Sequence, residues 1–445
     1  MTAVGIDAVE FWTGKLKLDL PNTFAPVKNE DPEKYTKGLG LEASSLPDTY
    51  EDIVTMGANA AKRLLDRKGL DPSDIGRIDV ATESAFDNSK PVSTYIAGCL
   101  EQVYDGDFRH ANKGERKFAC VAGTQSIDDA YNWIRAGRNR GRAALVVATD
   151  TALYARGSSG EATQGAGAVA MLIDEDPDLV ALSTEQGYGS MDETDFLKPN
   201  QQFPSVDGKR SMQVYLARMR EALEDYESVA GDTHPAEFAY VPFHTPFPGM
   251  VRKAGLLGYR HIVRGTDVED ALADELGPIP REDDFADREA YEEAIQGYMD
   301  ELKGTERYRD WYGSAIEPTL SISRQVGNWY TGSVHLARLS SLRHAAANDL
   351  DLAGEQLLVA SYGSGAQAEI HAETVQDGWR EEIEGLNIDE QIERRGDISF
   401  EQYEQIHDVH NHEKDVEVDP ITTPDGEFAF TGWGRMNERE YEYVG

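Results

Sequence analysis

Residues 117–134 read KFACVAGTQSIDDAYNWI, and this stretch indicates a strand, a sharp turn and then an amphipathic helix. Cys120 closes the short apolar run, and small and polar residues lead from it into the predicted helix. A thiol at a helix N-terminus lies near unpaired N–H groups and the positive end of the helix dipole, which lower its pKa from about 8.5. The alternative is a buried cysteine that packs as a small hydrophobic residue. The local sequence leaves both interpretations open.

The wider pattern alternates apolar strands with amphipathic helices, which is typical of an α/β fold. Strands are predicted at 78–82, 118–120, 143–149, 168–173, 239–243 and 356–361. Helices are predicted at 50–68, 126–136, 212–227 and 334–347. A chain of 445 residues is too long for one ordinary core, so we expect two domains or a duplicated fold.

The chain is strongly acidic, with 81 Asp and Glu against 43 Lys and Arg and a formal net charge of −38. Such a field repels nucleic acid and anionic lipid, so neither is an expected partner. The acidic residues are dispersed along the chain, which favours adaptation to molar salt, where the Debye length falls to about 3 Å. An ordinary acidic protein is the alternative.

The two cysteines, Cys99 and Cys120, are too few for a disulfide framework and indicate a reducing compartment. We expect Cys99, inside a predicted helix, to serve only in packing. No apolar run approaches the roughly 20 residues that span a bilayer, and the first residues do not read as a secretory signal. The sequence therefore predicts a cytoplasmic protein without a membrane partner.

Conspicuous polar residues stand where predicted strands end. They are Glu83, Asp150, His244 and the Gly-Ser-Gly loop at 363–365. Each alone is commonly a cap, a structural side chain or a turn. Because ligands of α/β sheets bind beyond the carboxyl ends of strands, their occurrence together with Cys120 predicts an active site.

These residues lie in motifs through which the chain resembles the hydroxymethylglutaryl-CoA synthases, condensing enzymes of the thiolase superfamily. The motifs lie at 82–87, 119–124, 148–155, 163–170, 195–199, 206–211, 243–246, 327–333 and 361–365. Cys, His and Asn alone indicate only the superfamily. Glu83 and the Asn-Trp-Tyr-Thr sequence that begins at Asn328 are similar to the synthases in particular.

The resemblance implies a thiolase-like duplicated α/β fold in five layers, α-β-α-β-α. Residues 1–175 would form the N-terminal half, with Glu83 and Cys120, and residues 176–445 the C-terminal half, with His244 and Asn328. An acidic helical insertion is expected around 267–310 and a charged C-terminal extension from about 377. The resemblance also implies a homodimer.

The resemblance further implies the chemistry. Cys120 would take an acetyl group from acetyl-CoA, and Glu83 would remove a proton from the methyl of that acetyl group. The carbanion would attack the ketone of acetoacetyl-CoA, whose oxygen His244 and Asn328 would hold, with His244 as proton donor. Water would then release the product from Cys120. Both thioesters are substrates, and no cofactor and no metal is expected.

Elementary chemistry agrees with these roles. The backbone N–H groups of Cys120 and Ser364 would make a suitable oxyanion site, where one donor is typically worth about 2.7–4 kcal/mol. A carboxylate that removes a carbon-bound proton works best with a raised pKa, which a closed apolar pocket supplies. Like charge from Asp87 and Asp150 would raise the pKa of Glu83 further.

Binding residues are carried over from the same family. The candidate residues for the oxyanion and substrate are Asn328, Ser364, Gly363, Thr163, Ser211, Asp150 and Tyr330. Lys253 matches the family's lysine near the pantetheine or phosphates of CoA. The family often has a basic residue where this chain has Gly249, so Arg252 is a substitute candidate for the phosphates.

Three other classes are weighed against this interpretation. A ketoacyl synthase shares Cys, His and Asn but lacks a Glu base. A thiolase uses a second cysteine late in the chain, whereas both cysteines here precede residue 121. A non-catalytic acyl-CoA-binding subunit has no need of Cys120, Glu83 and His244 together.

Overall fold

The computed structural model describes residues 2–199, 201, 203–231, 234–409 and 418–445. The strands are β1 Val4–Thr13, β2 Leu16–Asp19, β3 Ala43–Leu46, β4 Ile75–Ala81, β5 Asn112–Arg116, β6 Ala143–Ala152, β7 Gly165–Glu175, β8 Val180–Ser190, β9 Phe196–Leu197, β10 Ser205–Val206, β11 Phe238–Tyr240, β12 Gln356–Gly363, β13 Gln367–Val375, β14 Gly396–Asp397, β15 Glu427–Trp433 and β16 Arg439–Val444. The α-helices are α1 Ala25–Lys28, α2 Ile53–Lys68, α3 Val92–Leu100, α4 Ala122–Arg135, α5 Gly208–Ala230, α6 Pro248–Ile262, α7 Asp267–Leu276, α8 Arg288–Leu302, α9 Glu306–Trp311, α10 Ser323–Val326, α11 Ser333–Ala347, α12 Trp379–Glu384, α13 Ile388–Glu393 and α14 Phe400–Val409.

Nine strands form one mixed sheet in the order β11-β12-β13-β8-β1-β7-β6-β4-β5. The run β8-β13-β12-β11 repeats the run β1-β7-β6-β4, so the chain is built from two similar topologies. The two runs join where β1 pairs antiparallel with β8 over two residue pairs. A Cβ on Gly5 at this junction would lie 2.0 Å from Val180 O, so only glycine allows the strands to approach. The duplicated α/β fold is confirmed.

Alternating side chains divide the sheet into an inner and an outer face. Val146 of β6 and Val359 of β12 belong to one core that includes side chains of α4 and α11. Val147 of β6 faces the opposite way, into a core with α2 and α3. Leu358 of β12 belongs to a third core with α5 and α6. The two runs of the sheet therefore form two separate layers, and the order of layers is α2/α3, the run β1-β7-β6-β4, α4/α11, the run β8-β13-β12-β11 and α5/α6.

The remaining segments pack around these layers. Helices α7, α8 and α9 share a separate core around Leu272 and Leu302. In the C-terminal extension, the hairpin of β15 and β16 packs on α2 through Phe428, and α14 packs on the N-terminal segments through Tyr403 and Ile406. Within the described ranges, no helix combines the length and the apolar character needed to cross a membrane.

The prediction of a strand at 118–120 is wrong. The edge strand β5 ends at Arg116, and Ala119 adopts φ 44°, so residues 117–121 form a tight turn. Helix α4 accordingly begins at Ala122, four residues before the predicted start. The sequence of β5 has no apolar alternation, and its strand conformation comes from parallel pairing with β4. Prediction also missed several other elements, among them β1, β8, β13 and α6.

Candidate active site

The two repeated topologies bring their functional residues to one place. Glu83 follows β4 and His244 follows β11, which are equivalent strands of the two runs. Cys120 stands just before α4, and Asn328 lies in the turn before α11, which are the equivalent central helices. Each half therefore supplies one titratable side chain after a strand, Glu83 or His244, and one polar side chain before a central helix, Cys120 or Asn328.

A cavity of about 320 Å³, here called the acyl cavity, lies where these elements meet. Eight of the eleven predicted site residues line it, and they are Glu83, Cys120, Thr163, Ser211, His244, Asn328, Tyr330 and Ser364. Asp150, Gly363 and Lys253 are not among the residues that line it.

Cys120 is buried and bonded directly to Glu83. Its Sγ donates a hydrogen bond to Glu83 Oε1 at 2.8 Å. Burial, and then the negative charge of Glu83, raise the pKa of the Cys120 thiol well above its usual range. The expectation of a lowered thiol pKa is therefore wrong, because burial and neighbouring carboxylates outweigh the start of α4.

Glu83 has a raised pKa. Burial is the largest cause and the charge of Asp150 the second, and together they raise the pKa of Glu83 to about 8. The hydrogen bond from Cys120 and the ammonium group of Lys198 act in the opposite direction. Asp87 was expected to add like charge, but its Oδ1 instead accepts the backbone N–H groups of residues 89 and 90.

Asp150 organises the loops around Glu83. Its Oδ1 accepts Thr82 Oγ1 at 3.0 Å, Glu83 N at 2.8 Å and Ser84 Oγ at 2.8 Å. Its Oδ2 accepts both the N–H, at 3.1 Å, and the hydroxyl of Thr331. The buried carboxylate thus ties the turn after β4 to the turn before α11, and both of its oxygens are occupied by protein donors.

His244 lies in an aromatic setting and is buried, with 1% of its surface exposed. Burial lowers the pKa of His244 to about 3, so the imidazole is neutral at neutral pH. The ring lies beside the paired rings of Tyr215 and Tyr362, with centroid distances of 6.5 and 6.2 Å. Tyr215 also donates its hydroxyl to His244 O at 2.9 Å, which fixes the backbone.

Asn328 is held by its carbonyl end. Its Oδ1 accepts Tyr330 N at 2.9 Å and Ser333 Oγ at 2.7 Å. Because the oxygen is occupied, the NH₂ group is the end of the carboxamide that remains available to a ligand in the cavity.

The Gly-Ser-Gly loop packs directly on the turn that holds Cys120. A Cβ on Gly363 would lie 2.6 Å from Phe118 O and 2.8 Å from Val121 N, so a side chain at this position is excluded. This close approach brings Ser364 into the wall of the acyl cavity next to Cys120.

An aromatic wall surrounds Cys120, and sequence reasoning did not single out two of its members. The ring centroids of Tyr154, Phe196 and Tyr330 are 6.1 to 6.5 Å apart. Tyr154 and Phe196 stand inside the motifs at 148–155 and 195–199, and this position was the available signal. Their type alone predicts only ordinary core packing.

The predicted coenzyme residues lie at the rim. Lys253 is exposed, and its Nζ lies 2.9 Å from the sulfur of Met212, which lines the cavity. Arg252 donates to Lys37 O at 2.7 Å. A Cβ on Gly249 would lie 2.4 Å from the backbone oxygen of residue 38, so the basic residue common in the family does not fit here.

A second, more open cleft of about 740 Å³ reaches the same centre and shares Glu83, Phe196 and Ser364 with the acyl cavity. Its lining includes Lys117 and Lys198. No group of three or more His, Cys, Asp and Glu side chains is placed to hold a metal ion in the part of the chain that the structure describes.

The comparisons with known proteins agree with this geometry. The family model for the hydroxymethylglutaryl-coenzyme A synthase N terminal matches residues 2–178, and the model for the C terminal matches residues 187–427. The hydroxymethylglutaryl-CoA synthase of Haloferax volcanii is 79% identical over the full length of both chains. The prediction of a salt-adapted source agrees with this relative. The human mitochondrial enzyme is 31% identical over 82% of this chain and 72% of its own.

Solved structures give the same result. A structure of MvaS in complex with 3-hydroxy-3-methylglutaryl coenzyme A superimposes with a TM-score of 0.85 at 29% identity, covering all of both chains. A structure of an HMG-CoA synthase complexed with CoA has a TM-score of 0.77 at 29% identity, covering 99% of this chain and all of the other. The fold is therefore thiolase-like, as the resemblance implied. The chain belongs to the hydroxymethylglutaryl-CoA synthase family.

Proposed function

We propose that Cys120 carries the acyl group, Glu83 is the base and His244 acts on the ketone oxygen in the reaction of this family. The chain is an acyl-condensing transferase that joins acetyl-CoA, acetoacetyl-CoA and water into hydroxymethylglutaryl-CoA and CoA for the mevalonate pathway. The observation that carries the assignment of roles is the 2.8 Å hydrogen bond from Cys120 Sγ to Glu83 Oε1 inside the acyl cavity.

The first step is acetylation. The sulfur of Cys120 attacks the carbonyl carbon of acetyl-CoA and gives up its thiol proton. The bond from that carbon to the CoA sulfur then breaks, and the departing sulfur takes the proton. Burial is the largest cause of the raised pKa of both Cys120 and Glu83, and a neighbouring carboxylate is the second cause in each case.

The second step forms the carbon–carbon bond. Acetylation places the methyl group two bonds from a sulfur that lies 2.8 Å from Glu83 Oε1. Glu83 takes a proton from this methyl, and the carbanion attacks the ketone carbon of acetoacetyl-CoA. Acylated Cys120 no longer donates a hydrogen bond to Glu83, and this loss strengthens Glu83 as a base at the moment when it is needed.

The ketone oxygen becomes an alkoxide during this attack. Neutral His244 and the NH₂ group of Asn328 supply the hydrogen bonds that stabilise it, in a buried site where such bonds are stronger than in water. The alkoxide takes a proton from His244, and the proton that Glu83 took from the methyl passes to His244, so that His244 is again neutral and Glu83 is again a carboxylate. The site as a whole therefore neither gains nor loses a proton.

Hydrolysis completes the cycle. Glu83, again a carboxylate, takes a proton from water, and the hydroxide attacks the thioester on Cys120. The backbone N–H groups of Cys120 and Ser364 hold the carbonyl oxygen, and each such donor is worth about 2.7–4 kcal/mol. The carbon–sulfur bond breaks, and the Cys120 sulfur takes the proton back.

The remaining predicted residues have supporting roles in this proposal. Thr163, Ser211 and Tyr330 contact the substrate arm, and Lys253 at the rim attracts the phosphates of CoA. Asp150 acts through the loop that carries Glu83. Gly363 allows the close approach that brings Ser364 to the cavity.

We propose that two copies of the chain pair through the edge strand β5. Strand β5 ends the nine-stranded sheet, and an unpaired strand edge is a template for pairing with another chain. Light scattering in molar KCl would then give about twice the chain mass of 49.2 kDa, and a mass of one chain would contradict the proposal.

We further propose that residues 1–175 and 176–445 are the two functional halves, that the protein acts in the cytoplasm and that the reaction needs no cofactor. Cysteine, carboxyl and imidazole groups supply every proton transfer that the condensation requires. Enzyme dialysed against EDTA should keep its full rate, and recovery of a lost rate by an added metal would contradict this.

The test of the assignment is the release of free CoA thiol in molar KCl. Release should require acetyl-CoA and acetoacetyl-CoA together and should disappear in Cys120→Ser. Equal release from acetyl-CoA alone would indicate a hydrolase. Label captured on Cys120 without release from the pair would redirect the search to other acceptors.

A further inference from the structure

Helix α14 of the C-terminal extension lies against the loop that forms one wall of the acyl cavity. Three of its side chains, Tyr403, Ile406 and His407, are 0%, 0% and 1% exposed. The loop between β6 and β7 lies opposite them and contributes Tyr154 and Thr163 to the cavity. None of the roles proposed above uses this helix.

His407 bonds the loop at two points. Its Nε2 contacts Tyr154 O at 2.9 Å and Gln164 Oε1 at 3.2 Å. Since both partners are acceptors, Nε2 carries the hydrogen. Gln164 Oε1 also accepts Tyr154 N at 2.9 Å, so the backbone of Tyr154 is held from both sides.

Tyr403 completes a buried network. Its hydroxyl accepts Gln164 Nε2 at 2.9 Å and donates to Glu161 Oε1 at 3.0 Å. Glu161 Oε2 accepts Lys28 Nζ at 2.7 Å and Gly157 N at 2.6 Å. Gln164, Tyr403 and Glu161 are all buried, so removing one partner leaves polar groups unpaired and displaces the loop.

The same helix touches a second wall. The ring of His407 stacks on Phe203 with a centroid distance of 5.5 Å and an interplanar angle of 15°. The next residue, Pro204, lines the acyl cavity. His407 therefore connects the wall of Tyr154 with the wall of Pro204.

The network also extends toward the reacting groups. Asn328 N donates to Thr163 O at 3.1 Å, next to Gln164. Tyr154 belongs to the aromatic wall around Cys120. A shift of the loop thus changes the space available to the group on Cys120.

We propose that α14, through Tyr403 and His407, positions this wall and thereby limits the size of the acyl group that Cys120 accepts. Both are positioning residues, because they act through Tyr154 and Gln164. The inference rests on the proposed role of Cys120 as acyl carrier. One methylene in a close-fitting pocket is worth about 10- to 200-fold in discrimination, so a loosened wall has a measurable effect.

The test measures label transferred to Cys120 from acetyl-CoA and from propanoyl-CoA, without acceptor, in full-length protein. We expect His407→Leu to lower the preference for acetyl over propanoyl about 5- to 10-fold. Tyr403→Phe should lower it by a smaller factor, and His407→Gln, whose amide restores an N–H near Nε2, should recover most of it. Gln405→Ala, exposed on the same helix, should leave the preference unchanged.

An unchanged preference in Tyr403→Phe, together with a lower melting temperature, would overturn the inference and leave α14 a purely stabilising role. Tyr403→Phe removes one oxygen atom and decides the question even where His407→Leu fails to fold. Absence of any label on Cys120 in the unmodified protein would instead contradict the proposed role of Cys120, so the two failures are distinguishable.

Discussion

Glu83 and His244 occupy equivalent strand ends in the two halves, and the same physical cause acts on them with opposite sign. Burial is the largest cause in both cases, and it raises the pKa of Glu83 to about 8 and lowers that of His244 to about 3. Burial favours the neutral form of any titratable group. At equivalent positions of the duplicated fold, burial therefore gives Glu83 a pKa close to neutral pH and keeps the imidazole of His244 uncharged.

The surroundings of the two residues differ in kind. Glu83 lies among groups that carry or move charge, namely Asp150, Cys120 and Lys198. His244 lies beside two tyrosine rings, and burial lowers its pKa. In the proposed mechanism, Glu83 of the N-terminal half removes the methyl proton, and His244 of the C-terminal half donates to the ketone oxygen.

The largest expected effect comes from Cys120→Ser, which removes the proposed acyl carrier of the N-terminal half. Acetylation and condensation should both fall by on the order of 10⁴-fold or more, because a hydroxyl beside a carboxylate is a far weaker nucleophile than a thiol. Label capture and CoA release measure the two steps. Cys99→Ser is the matched control, and its activity should persist because Cys99 lies in a separate core. Turnover of Cys120→Ser above background would exclude Cys120 as the nucleophile.

The fold class and the position of most site residues follow from the sequence because local pattern determines them. Buried strands such as β6 and β12 can be recognised in the sequence as apolar runs. Polar residues at the ends of such strands lie where α/β sheets bind ligands. Strand β5 could not be predicted, since its conformation comes from pairing with β4. Helix α14 shows the same limit, because its contacts with the loop between β6 and β7 join residues 243 and 253 positions apart.

Charge states were less predictable than positions. The start of α4 suggested a lowered pKa for Cys120, yet its pKa is raised by burial and by Glu83, 37 positions earlier in the chain. Like charge on Glu83 was expected from both Asp87 and Asp150, and only Asp150 contributes. These outcomes depend on distances between side chains, which no local pattern contains.

The second-largest effect is expected from replacing Glu83, the proposed base. Glu83→Ala should slow condensation by about 10²- to 10⁴-fold, the usual contribution of a general base. Acetylation should persist, because removing the carboxylate also removes a cause that raises the pKa of Cys120. Label on Cys120 from acetyl-CoA alone measures the first step, and product formed after adding acetoacetyl-CoA measures the second.

The matched variant is Glu83→Gln, which keeps the shape and the hydrogen-bond acceptor but cannot take a proton. It should resemble Glu83→Ala in condensation. Recovery of condensation in Glu83→Gln would mean that Glu83 only positions Cys120, and loss of labelling in both variants would make it the base of the first step.

Removing the C-terminal counterpart tests the other side of the comparison. His244→Ala should lower condensation about 10²- to 10³-fold, the effect of losing one oxyanion donor, and leave labelling of Cys120 nearly unchanged. The effect should appear with acetoacetyl-CoA as the varied substrate. His110→Ala, an exposed histidine in the N-terminal half, is the control. Unaltered use of acetoacetyl-CoA by His244→Ala would remove this residue from the ketone site.

The smallest effect is a pH profile that separates the two residues without any mutation. Condensation needs Glu83 ionised, and a pKa of about 8 means that about one-tenth is ionised at pH 7 and about nine-tenths at pH 9. Acetylated enzyme lacks the hydrogen bond from Cys120 that lowers this pKa, so its rate of condensation should rise at least tenfold over that interval, with no break near pH 6.5, because the pKa of His244 lies at about 3. Lys198→Met removes a charge that lowers the pKa of Glu83, so the midpoint should move upward, whereas Lys37→Met at the surface should not move it. A flat profile from pH 6 to 9 would mean that Glu83 keeps an ordinary carboxyl pKa and that burial does not act on the two halves in opposite directions.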